Sequence, residues 1–242
     1  MRPSRAEIAR TLASSTALAT VVARRLPAVT GVRHGATTDG RILLLCHRDD
    51  PLAATSRAVI VHVADEPPLP FSPTWGRLRV GGRATPLAGA AARAAADAIA
   101  ATLPDPDLLD VGHGSVIVEV LPKRVTLVGR DRDLPVDLDD YRQASPDPVA
   151  PAERPLLVDL VDHHGPQFYP FLRQQLVAAG IDVPADCLPC PLRLDRHGLL
   201  VSVPTDGPAA CYRLCFTPPL TGQADLVNRL HAVLFHHRCD HP

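Results

Sequence analysis

Residues 29–47, VTGVRHGATTDGRILLLCH, hold two short β-type runs on either side of Asp39-Gly40. Asp-Gly between apolar runs is a strong hairpin signal, because glycine tolerates the positive φ that a tight turn needs. Moving outward, runs of the same kind follow: AVIVHVA (58–64), GRLRVGGRATPL (76–87), SVIVEVLP (115–122) and RVTLVGRD (124–131). The last two read as a strand pair with a turn at Pro122-Lys123. Several short strands at this spacing predict a small antiparallel barrel. Ahead of them, residues 5–25 read as a helix capped by Ser4, with Ile8, Leu12, Ala13 and Leu18 near helical spacing. Its second half, ATVVARRL, also reads as a strand. Residues 87–103, LAGAAARAAADAIAATL, are alanine-rich and predict a helix that Pro104 and Pro106 end.

The stretch QASPDPVAPAERP (143–155) reads as a proline-rich linker between a barrel domain, 1–142, and a second domain, 156–242. Helical patterning over 154–179 breaks near Gly165-Pro166. PLRLDRHGLLVSVP and AACYRLCFTPPL then read as two strands around an Asp206-Gly207 turn, and 222–238 as a closing helix. The expected class is α+β: a split β-barrel followed by a small α+β domain.

A chain of 242 residues, 46% of them apolar, is long enough and apolar enough to bury a core. Its net charge of -1 argues against nucleic-acid or membrane-surface binding by bulk electrostatics. No apolar run reaches the ~18 residues of a membrane span. Arginines scattered through the first 25 residues argue against a secretory leader. A cytoplasmic protein is expected, with Cys46, Cys187, Cys190, Cys211, Cys215 and Cys239 reduced.

The histidines pose the functional question. His62 stands in a strand with apolar residues on both sides, where an imidazole needs a partner or a purpose. It reads either as a core histidine satisfied by a carbonyl or as a metal ligand, with Asp65 and Glu66 close enough in sequence to support it. Arg33 and His34 fall on opposite faces of one strand. An arginine there would suit a planar carboxylate. His47 ends a strand beside Arg48, Asp49 and Asp50. The tail carries His231, His236, His237, Cys239 and His241, which read by default as a solvent-exposed end. Cys187-x-x-Cys190 with Cys211 and Cys215 invites a zinc reading, set against cysteines packed as small apolar residues. Val111-Gly112-His113-Gly114-Ser115 is neither a dinucleotide fingerprint nor a nucleophile elbow, and reads as a turn.

LRLDRHGLLVSV and YRLCFTPPLTGQADLVNRLHAVL (192–234), with LLVDLVDHH upstream, resemble the C-terminal domain of HugZ-type heme proteins. DGRILLL, DPLA, GRLRVGGRATPL and DLDDYRQASPDP resemble their split barrel. This resemblance implies heme b at the interface of a homodimer, a histidine on the iron, and a cofactor anion held by Arg33, Arg48 and Arg77. It also implies His62 as the ligand, with His47 or the tail histidines as rivals. His62 followed by ADEPPLP looks like the heme-dependent piperazate synthases, which close an N–N bond in N-hydroxylated ornithine. On that resemblance Arg33 or Arg77 binds the substrate carboxylate and His34 or His47 moves a proton. HugZ-type heme oxygenases and heme carriers are the alternatives.

Overall fold

The computed structural model describes residues 2–184, 186–204, 209–226 and 228–229. The chain forms two compact units, one of Ser4–Glu66 with Thr74–Pro146, the other of Met1–Pro3, Pro67–Pro73 and Asp147–Pro242. The fold is α+β, a split β-barrel with helices plus a second, smaller sheet.

The first unit opens with α1 (Arg5–Ala13). The Ser4 side chain accepts from Glu7 N, and Ser4 N donates to the Glu7 carboxylate, so two free amides at the helix start are satisfied. The helix expected over 5–25 ends here, and ATVVA takes its strand alternative as β1 (Ala19–Ala23). Then come β2 (Val29–Ala36), β3 (Ile42–His47), the short α2 (Pro51–Ala54), β4 (Arg57–Ala64) and β5 (Arg77–Pro86). Next are α3 (Gly89–Ala100), β6 (Ser115–Val128), β7 (Asp133–Val136) and α4 (Leu138–Gln143).

Every pairing is antiparallel, in the order β3-β2-β1-β4-β5-β6, and β6 returns to pair with β3, which closes a six-stranded barrel. The run ILLLCH shows why β3 is apolar throughout. Ile42, Leu44 and Cys46 enter the barrel core, while Leu43 and Leu45 pack under α3 against Ile99. Burial on both faces yields a continuous apolar run instead of alternation.

The expected turn at Pro122-Lys123 does not exist. Residues 115–128 form one strand with a bulge, where Gly81 pairs with Arg124 and Gly82 with Pro122, so that Lys123 is the extra residue. A Cβ at Gly82 would press on Leu121 O, which explains glycine there.

A buried cation ties the ends of this unit together. The Arg10 side chain is 2% exposed and faces no carboxylate among the described residues. Its Nε donates to Ala144 O at 3.0 Å, and its Nη2 donates to Thr37 O and Thr38 O, each at 2.9 Å. The guanidinium lies 5.4 Å from the Tyr141 ring centroid, and the Tyr141 hydroxyl donates to Gly40 O at 3.0 Å.

In the second unit, α5 (Glu153–Asp162) and α6 (Gly165–Ala178) pack with a three-stranded sheet, β8 (Cys190–Asp195), β9 (Gly198–Val203) and β10 (Ala210–Cys215). Leu157, Phe168, Leu172, Leu176 and Val201 form its core. PLRLDRHGLLVSVP is a hairpin and not one strand. Asp147 accepts from Arg196 N, and Asp195 from His197 N, which fixes the turn. Within the stretch 143–155, Val149 is buried in this core and Glu153 starts α5. The Glu153 carboxylate accepts from Arg193 Nε at 2.8 Å and Nη2 at 2.9 Å. The Asp206-Gly207 turn lies outside the described residues, and the helix expected over 222–238 is described only at 223–226 and 228–229.

Gly40 has φ +83°, and a Cβ added there would lie 2.6 Å from Tyr141 Cε1. Gly40→Ala is therefore expected to lose about 2–3 kcal/mol. Tyr141→Phe is expected to lose about 1–2 kcal/mol by stranding Gly40 O. Urea denaturation measures both.

Candidate functional site on the outer barrel face

β4 alternates. Val59, Val61 and Val63 point into the barrel core, while Ala58, Ile60, His62 and Ala64 point outward. The strand is therefore buried on one face only, which corrects the reading of a run apolar on both sides. His62 belongs to the outward set and is half-buried. Cross-strand register puts Thr20 of β1 and Arg79 of β5 directly beside it, with Thr126 of β6 beyond Arg79. In the next row stand Val22, Ile60, Gly81 and Arg124. Val22 is 38% exposed and Ile60 40%, so an apolar surface adjoins the imidazole.

The imidazole is held below its usual pKa, first by burial and then by the positive charges of Arg77 and Arg79. The neutral ring, the form that can ligate a metal, is favoured. Nδ1 is covered and has no hydrogen-bond partner. The support expected from Asp65 and Glu66 is not realised at that atom. The Asp65 carboxylate instead accepts from Trp75 N at 2.7 Å, at the start of the β4–β5 connection. Arg79 reaches Asp133 at 2.5 Å, and Arg77 is exposed.

The structure does not gather the other expected residues around His62. Arg33 lies on β2, two strands away, and pairs with Asp105, whose side chain is 4% exposed. His34 is 1% exposed, in the barrel core, with Nε2 3.5 Å from Leu12 O and Nδ1 without a partner. Burial holds its pKa low. It cannot reach a surface ligand. His47 is exposed at the end of β3, and its Nδ1 accepts from Asp49 N at 3.3 Å. Arg48 donates from Nη1 to His113 O at 3.1 Å, beside a cleft of about 370 Å³ at the start of α3. Arg77 alone of the expected arginines stands near His62. His231, His236, His237, Cys239 and His241 lie outside the described residues.

The cysteines do not form a cluster either. Cys190 and Cys211 both pair with Ser202, from opposite sides of β9, which puts them roughly 9–10 Å apart. That exceeds what one tetrahedral zinc spans. Among the described residues, no three His, Cys, Asp or Glu side chains are grouped to hold a metal ion. None of the described helices is long and apolar enough to cross a membrane.

Sequence reading missed Arg79 and Gly81. The only available signal was the alternation in GRLRVGG, which puts Arg77, Arg79 and Gly81 on one face. Their place beside His62 depends on register.

No family model and no curated protein matches this chain. Among solved structures it is similar to a heme-binding protein from Mycobacterium smegmatis, with 21% identity, 98% of this chain and 96% of that one covered, and a TM-score of 0.68. A protein of unknown function from Agrobacterium tumefaciens covers 97% of both chains at 15% identity and a TM-score of 0.44. The first likeness shows a shared fold along nearly the whole of both chains.

Two titrations follow from these environments. In NMR, Arg77→Gln is expected to raise the His62 midpoint, because it removes a positive charge that disfavours the imidazolium. For His34, the folded pKa lies below the unfolded value of about 6.5. Above that pH neither state carries the proton and stability is unaffected. As pH falls below it the unfolded chain binds a proton first, so stability declines until the folded pKa is passed. His34→Leu is expected to flatten this decline in urea denaturation between pH 7 and pH 5.

Proposed function

We propose that this chain binds heme on the outer face of β1, β4 and β5, with His62 on the iron. The observation that carries the reading is a half-buried imidazole on a solvent-facing sheet surface, its neutral form favoured by burial, bordered by exposed Val22 and Ile60 and by two arginines. A porphyrin asks for these partners: a neutral nitrogen for the metal, apolar surface for the ring and cations for the propionates. The M. smegmatis structure with the same fold, described as a heme-binding protein, supports it. The sequence has no Cys-x-x-Cys-His for covalent attachment, which favours heme b.

The activity we propose is piperazate synthesis from N-hydroxylated ornithine, with the likeness of His62 and its ADEPPLP flank to those synthases as support. Bound heme would supply Lewis-acid polarisation of the N-hydroxyl oxygen, which N–N closure with loss of water needs. His62 would hold the iron of that group. Arg77, exposed beside His62, takes the substrate carboxylate, a role that Arg33 loses to Asp105. The proton roles offered for His34 and His47 are dropped, since neither stands at this face. The same surface is proposed to meet a second copy in a homodimer, covering Val22 and Ile60.

Hemin titration is expected to give a Soret band that His62→Ala removes while the protein stays folded. Retention of the band in His62→Ala would move the ligand elsewhere, the tail histidines included. Incubating the heme-loaded protein with N-hydroxylated ornithine and no reductant is expected to yield piperazic acid. Heme breakdown to biliverdin with ascorbate, without that product, would establish an oxygenase, and neither product a carrier.

A further inference from the structure

We propose that Gly81 is a binding determinant of the His62 site, its missing side chain opening a notch in the sheet surface that the edge of a planar macrocycle occupies. This rests on the heme reading above.

Glycine inside a strand costs backbone entropy and leaves nothing to pack, so its presence calls for a cause. For other glycines of this barrel the fold supplies one. Gly40 has a positive φ and abuts Tyr141, Gly76 has φ +93° and abuts Val128 O, and Gly82 abuts Leu121 O at the bulge. Gly81 flanks the same bulge as Gly82, yet no positive φ and no close backbone contact acts on it. It is not among the residues of positive φ. A Cβ built on it would meet nothing closer than Arg124 Cβ at 3.9 Å and Arg124 O at 4.0 Å, ordinary van der Waals distances. The strand itself would accept a larger residue here.

Register gives the missing side chain its meaning. Gly81 lies opposite Ile60 on one side and Arg124 on the other, on the outward face. His62 is its diagonal neighbour, about 7–8 Å away in such a pairing. A side chain at 81 would stand among Ile60, Arg79 and Arg124 and rise beside the imidazole. A ligand no wider than the imidazole would not notice it. A porphyrin centred on that ring is several ångströms wider, and extends over its diagonal neighbours. Glycine inside a strand marks a bulge or a close approach to the backbone, and at this bulge it is Gly82, not Gly81, that meets Leu121 O.

Gly81→Val and Gly81→Leu test this, since both side chains suit a strand. The apo variants are expected to keep the wild-type circular dichroism and to melt at or above the wild-type temperature. Their hemin dissociation constant, from Soret titration, is expected to rise at least tenfold, with a smaller rise in Gly81→Ala. Arg83→Leu, two residues further along the same face, is expected to leave it unchanged. A Soret band lost in His62→Ala but of wild-type affinity in both Gly81→Val and Gly81→Leu overturns the role of Gly81 and leaves heme binding standing. No Soret band in the wild-type protein overturns both.

Discussion

The barrel closes because one strand, β6, pairs with the first strand of the sheet order, β3, as well as with β5. Its first residues pair with β3 and its later ones with β5, with 118–120 shared between them. A straight strand of 14 residues would leave the curve of the wall. The bulge at Lys123 increases the local twist, and Gly82 lets the two backbones meet there. Closure leaves these six strands without free edges, so backbone pairing no longer limits what the outer surface carries.

That outer surface is not uniform. On the β2–β3–β6 side it is covered by α3, whose Ile99 and Ala95 seal Leu43, Leu45 and Ile117. On the β1–β4–β5 side, Val22, Ile60 and His62 face outward with no such lid among the described residues. The β1–β4–β5 side is thus the one whose outward apolar residues no described helix covers. Burial first, and then the charges of Arg77 and Arg79, hold the His62 pKa below its usual value there.

Much of the barrel could be read locally. The Asp39-Gly40 hairpin, the β-type runs and the alanine-rich helix each depend on residues adjacent in sequence, and each is present. Pro122-Lys123 misled because a proline-polar pair carries the same local signature in a turn and in a bulge, and only the partner strand distinguishes them. His62 stood out as an anomaly, but its face did not. Ala58, Ile60 and Ala64 have the hydropathy of core residues while pointing away from the core. Arg79 and Gly81 became neighbours of His62 through a register that no single run of sequence encodes. The same holds for Arg33, which looked free until Asp105 arrived from beyond α3.

The Arg10 cluster bears on how the protein is made. A cation buried near the start of the chain donates from Nε and Nη2 to carbonyls of residues 37, 38 and 144. Desolvating that charge before its distant acceptor exists would be costly. During synthesis, then, the bonds of Arg10 are complete only once residue 144 has left the ribosome.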